Sequence, residues 1–120
     1  MPAQPPHNGL EFVTVGDVAV VRFTHRSLLG ADLIDRVAAE LLRALEAMGI
    51  RKLVLNFANV ESMTSAMVGR LVNLQNRAAS LNARLVLCKI YPFLLEIFKV
   101  LNLTNSFTIH DDEQAALNSF

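Results

Sequence analysis

Three hydroxyls close together in the chain, on Ser62, Thr64 and Ser65, are its side chains best placed to do chemistry. They fall where an apolar run, Leu53-Val54-Leu55, passes through a polar turn into a long amphipathic pattern. That order predicts a strand, a turn and the start of a helix. A hydroxyl at a helix start sits beside unpaired backbone N–H groups and the positive end of the helix dipole. Two roles suit it there. It can cap the helix, worth about 1 kcal/mol. It can also accept a phosphate, which adds about −1.5 to −2 charges at neutral pH. Such a charge is tolerated by the fold at a helix N-terminus, but not by a partner packed over the same surface. Spacing alone leaves both roles open for Thr64 and Ser65.

The remaining reactive side chains form no constellation. His7, His25 and His110 are far apart and read as solvated loop residues rather than as metal ligands or triad members. Cys88 closes the apolar run Leu85-Val86-Leu87-Cys88 and reads as a buried core thiol. Asp111, Asp112 and Glu113 read as the acidic start of a short helix. The glycine patterns of dinucleotide and P-loop sites are missing, and so is the Gly-x-Ser-x-Gly elbow. The sequence therefore predicts no enzyme, no cofactor and no metal site.

The elements that would position the hydroxyls follow from pattern and punctuation. Residues 1–9 hold three prolines and read as a mobile tail, leaving 10–120 as one domain. Glu11–Val15 and Val18–Phe23 read as strands joined by a two-residue hairpin at Gly16-Asp17. Thr24–Ala31 reads as a loop. A first helix of about four turns follows, capped by Asp32 and ended by Gly49. Lys52–Phe57 is the third strand. The second helix runs from about Ser65 to Ser80, with Val68, Leu71, Val72, Gln75, Ala78, Ala79 and Leu81 on its buried side. Gly69, inside it, suggests close approach to the sheet or to a partner. Arg84–Lys89 is the fourth strand. Pro92 opens a third helix with an apolar stripe of Phe93, Leu94, Ile97, Phe98 and Leu101. A short strand, Ser106–His110, precedes a last helix with Asp111 and Gln114 at capping-box spacing. The order β-β-α-β-α-β-α-β-α gives an α/β domain: a small mixed sheet, parallel beyond its opening hairpin, with four to five helices.

Composition narrows the partners. The chain has 120 residues, 52% hydrophobic, with eleven basic and eleven acidic side chains. A neutral balance gives no electrostatic reason to expect nucleic acid or an anionic membrane. One cysteine cannot form an internal disulfide, which points to a reducing cytoplasm. Neither a secretion signal nor an uninterrupted membrane span is visible.

The residues from Val60 to Leu71, with Leu53-Val54-Leu55-Asn56-Phe57 before them, resemble the STAS family. This is the domain shared by sulfate transporters and bacterial anti-sigma-factor antagonists. The antagonists carry Asp-Ser-Ser-Gly, a hydrophobe, Gly, any residue and Leu after the third strand. The matching positions here are Thr64, Ser65, Ala66, Met67, Val68, Gly69, Arg70 and Leu71. Leu85 to Cys88 with Pro92, and Leu101 through Leu117, also look like the family, so the resemblance spans nearly all of the chain after the tail.

The resemblance implies a regulatory binding protein. Family antagonists bind an anti-sigma factor that is also a serine kinase, are released when it phosphorylates them, and are reset by a serine phosphatase. Carried over, Ser65 is the phosphoacceptor, and Met63, Thr64, Ala66, Met67 and Gly69 form part of the partner surface. Three positions depart from the motif: Thr64 replaces aspartate, Ala66 the second serine and Met67 the first glycine. Loss of the aspartate removes an acceptor for the serine proton and also a like charge beside a future phosphate. Met67 would place an apolar side chain on the first helical turn. These departures support an alternative, a phosphorylation-independent STAS scaffold module in a signalling assembly. Some STAS domains are proposed to bind nucleotides or lipids, but no motif here supports that.

Overall fold

Gly16 and Asp17 reverse the chain between strands β1 (Leu10–Val15) and β2 (Val18–Phe23), which pair antiparallel with Val15 opposite Val18. Gly16 takes φ +63°, the left-handed value such a hairpin needs and glycine adopts without strain. The computed structural model describes residues 10–120; the tail expected over residues 1–9, with His7, lies outside them. The chain continues as β3 (Ser27–Leu28), α1 (Ala31–Glu46), β4 (Lys52–Asn56), β5 (Ser62–Met63) and α2 (Ser65–Ser80). It ends with β6 (Arg84–Cys88), α3 (Pro92–Val100), β7 (Thr108–His110) and α4 (Glu113–Asn118).

The main sheet has five strands in the order β1-β2-β4-β6-β7, parallel except for the opening hairpin. This is the expected mixed α/β sheet. Period two divides its side chains between two faces. Ala19, Val21, Leu53, Leu55, Leu85 and Leu87 join the main core with buried residues of α1, α2 and α3. Val18, Val20, Val54, Val86 and Cys88 face the other way, onto Ala116 of α4.

Three local expectations are corrected. Thr24–Ala31 is not wholly loop, because β3 pairs parallel with β5 in a separate two-stranded ladder, Ser27 opposite Ser62 and Leu28 opposite Met63. The N-cap of α1 is Gly30, without a side-chain cap bond, so Asp32 lies inside the first turn and favours the dipole instead. The cap of α4 is Asp112 rather than Asp111, its carboxylate accepting from the Ala115 N–H at 2.8 Å. Gly49 does take a left-handed φ of +67° just beyond α1.

A small polar lock pins α4. Glu113 accepts two bonds from the Arg22 guanidinium, at 3.0 and 2.9 Å, and one from Asn56 Nδ2 at 3.0 Å. Asn56, a buried polar residue at the end of β4, also accepts from the Ala58 N–H at 2.8 Å. The same amide thus joins α4 to the loop leading to β5. Arg84 lies over the Phe120 ring at 5.3 Å from its centroid. The Arg22 guanidinium, then the Asn56 amide, hold the Glu113 carboxyl below its ordinary value of 4.5. A carboxyl lowered in this way stabilises the fold above its unfolded pKa and loses that contribution as pH falls through the folded value. Glu113→Gln is expected to cost about 1 kcal/mol at neutral pH, since the fork is bidentate but partly exposed to solvent. The gap between wild type and variant should close as pH drops below 4.5, read by urea denaturation across that range.

Candidate functional site

Beyond β4 the loop is anchored by what it buries. Phe57 and Val60 are fully buried, and the Phe57 ring packs on Phe23 with centroids 4.6 Å apart. The Phe57 N–H donates to the Cys88 carbonyl at 3.0 Å, and Asn59 Nδ2 donates to the Phe23 carbonyl at 3.0 Å. The Glu61 and Ser62 N–H groups both donate to the Arg26 carbonyl, at 2.7 and 3.1 Å. This loop delivers β5, whose short ladder with β3 is closed by Ser62 Oγ donating to Ser27 Oγ at 2.8 Å.

The three hydroxyls then separate by role. Ser62 is engaged with Ser27. Thr64 is the N-cap of α2: its backbone is extended, and its Oγ1 accepts from the Met67 N–H at 3.4 Å. Ser65 is the first helical residue and is exposed. The N–H groups of Ser65 and Ala66, at the first two helical positions, have no acceptor within the helix. No acidic side chain stands in the first turn. A cap bond of 3.4 Å lies at the long end of the useful range. Thr64→Ala is therefore expected to cost about 0.5–1 kcal/mol, and Thr64→Ser to restore most of it, read from chemical denaturation midpoints.

The residues predicted to surround Ser65 on a partner surface are only partly brought there. Thr64 is half-buried, and Ala66 and Gly69 are exposed beside Ser65. Met63 and Met67 point inward, 5% and 0% exposed, and belong to the main core. The expected apolar side chain on the first turn is thus absent from the surface. The helical face buried in α2 is Met67, Val68, Leu71, Leu74 and Ala78. Gly69 meets open space: a Cβ there would touch nothing within 4 Å, so close packing on the sheet does not explain it.

Sequence reasoning missed two features at this end of the domain. Phe93, placed in the buried stripe of α3, is 60% exposed and stacks on Tyr91, with centroids 5.7 Å apart. Both α2 and α3 follow the C-terminal ends of parallel strands, where α/β sheets present their ligand sites, so these aromatics share an end with Ser65. The second feature is the Arg22–Glu113–Asn56 lock; its only sequence signal was a polar Asn56 closing an apolar run. His25 and Asp111 are exposed, Cys88 is buried, and burial above all pushes its thiol up to about 11. Among the described residues, no group of three or more His, Cys, Asp or Glu could hold a metal ion.

Residues 10–116 match the sequence profile of the STAS domain. The chain belongs to the STAS family. This STAS domain is similar in fold to an anti-sigma-factor antagonist (STAS) domain protein from Planctomyces limnophilus, at 19% identity and TM-score 0.79, covering 92% of this chain and 96% of that one. It is also similar to RsbS of Moorella thermoacetica in a serine-to-glutamate variant, at 19% identity and TM-score 0.77, covering 92% of both. The Bacillus cell fate determinant SpoIIAA in its phosphorylated form matches at 17% identity and TM-score 0.70, covering 92% of this chain and 99% of that one. The fold is therefore of the anti-sigma-factor antagonist type. No helix of this STAS domain, among the described residues, is long and apolar enough to cross a membrane.

Proposed function

We propose that this STAS domain is a cytoplasmic regulatory binding protein of the anti-sigma-factor antagonist kind, switched by phosphorylation of Ser65. A partner anti-sigma factor acts as the serine kinase, and a serine phosphatase resets the switch. The observation that carries the reading is the division of labour at the start of α2. Thr64 caps the helix, which leaves the neighbouring Ser65 hydroxyl exposed at the first helical position. A phosphate on Ser65 would sit at the positive end of a 16-residue helix, beside free N–H donors and with no acid in the first turn. The fold accepts that charge, and a partner seated over Ser65, Ala66 and Gly69 does not.

SpoIIAA in its phosphorylated form and the serine-to-glutamate variant of RsbS, both similar in fold, support a switch of this chemistry. One support for the phosphorylation-independent scaffold reading falls away, because Met67 is a core residue and offers no surface. The test is to incubate the protein with the candidate kinase and ATP and to locate the phosphate by mass spectrometry. Phosphate on Ser65, abolished in Ser65→Ala, is the expected result. Stable kinase binding without any transfer to Ser65 would sink the proposal and favour the scaffold.

A further inference from the structure

On the outer face, α1 and α2 enclose a groove of about 390 Å³. Its floor is apolar, from Ala38, Leu42 and Leu74. Two ion pairs bridge its rims, Asp35 with Arg70 and, at 2.6 Å, Glu46 with Arg77. Both acids stand on α1 and both arginines on α2. The pairs join the two helices in the same order along the chain, so α1 and α2 run parallel. All four side chains remain 40–57% exposed. Their oxygens and unused guanidinium donors can serve a second set of partners.

We propose that this face pairs with the same face of a second copy of the chain, about a dyad running along the groove. A two-fold contact uses one patch on both copies, so the patch must complement itself. A dyad along the groove lays α1 of one copy over α2 of the other. Each acid then meets a second arginine, and each ion pair becomes a square of alternating charge. A dyad across the groove lays α1 on α1 with its ends reversed. It sets Asp35 against the second copy's Glu46 and arginine against arginine, which like-charge repulsion forbids. Among these four side chains, the charges favour the first geometry.

Size sets the strength. Each helix has 16 residues, so the pair of helices spans about 24 Å in length and roughly 20 Å in width. A footprint of roughly 500 Å² per copy falls at the low end of specific interfaces. The dimer is accordingly weak and salt-sensitive. It does not depend on the reading of Ser65.

Sedimentation equilibrium of the full chain at up to about 1 mM, in low salt, tests it. The wild type should dimerise, and raising salt from about 50 to 500 mM should weaken the dimer severalfold. D35R/E46R makes both helices of the patch basic, and R70E/R77E makes both acidic. Each variant alone should be monomeric, and an equimolar mixture should recover dimers. Exposed ion pairs contribute little to folding, and circular dichroism checks that both variants stay folded. A wild-type monomer at about 1 mM overturns the proposal. So do dimers that persist in either variant alone or fail to return on mixing. Should a variant not fold, the salt series on the wild type decides, and a dimer indifferent to salt overturns the geometry.

Discussion

Under the proposed switch, Ser65→Glu is expected to weaken binding to the proposed partner kinase by at least about tenfold, which is about 1.4 kcal/mol, while leaving the unfolding midpoint almost unmoved. The two halves of this expectation have separate causes. On the fold side, Ser65 is exposed at the first position of α2, outside the core, and a carboxylate there is favoured by the dipole. Surface substitutions of this kind stay within about 0.5 kcal/mol. On the binding side, an unpaired charge covered by a partner loses its water without gaining a counter-ion, at a cost of about 2–5 kcal/mol when buried. Isothermal titration calorimetry with the kinase, beside urea denaturation, reads both. Unchanged affinity would remove Ser65 from the interface, and a large loss of stability would mean that its exposure has been misread.

Met67 should show the opposite separation. Met67→Ala is expected to destabilise the domain by about 2–5 kcal/mol, the range for emptying a fully buried methionine site. Met67→Leu, which conserves volume, should cost less than about 1.5 kcal/mol. Met67→Asp should leave the chain largely unfolded, because the carboxylate would have no partner among the apolar side chains of the core. Thermal unfolding of the three variants checks the order. Any binding defect in Met67→Ala should track the fraction unfolded. A fully folded Met67→Asp would show that this position opens to the surface.

These two neighbouring positions mark how far the sequence could be read. The bounds of α2, the turn at Gly16-Asp17, the left-handed Gly49 and Pro92 as an opening residue all depend on short-range rules, and they were legible. The α2 stripe was legible only in part: Val68, Leu71 and Ala78 are buried as expected, while Met67 and Leu74 were missed and Ala79 is exposed. Its apolar residues are spread widely enough that Val72, Gln75 and Ala79 fit a buried face as well as Met67 and Leu74 do. Only the direction from which the sheet approaches decides between them. The same holds for α3, where Leu94 and Phe98 are buried while Phe93 and Leu101 stay outside. The β3–β5 ladder was invisible because two-residue strands have no periodicity of their own. They exist only because tertiary packing sets Leu28 beside Met63. Choosing Asp112 over Asp111 as a cap required a backbone conformation that two adjacent acids do not reveal.

The β3–β5 ladder also bears on the kinetics of recognition. Ser65 follows a segment already fixed by the Ser27–Ser62 bond, the paired strands and the doubly bonded Arg26 carbonyl. The entropy of ordering that segment is spent when the domain folds, not when a partner arrives. On the Ser65 reading, modification adds a charged group to a backbone already held in place by these bonds. Such a switch needs no rearrangement before encounter, so it acts on how long a complex survives more than on how fast it forms.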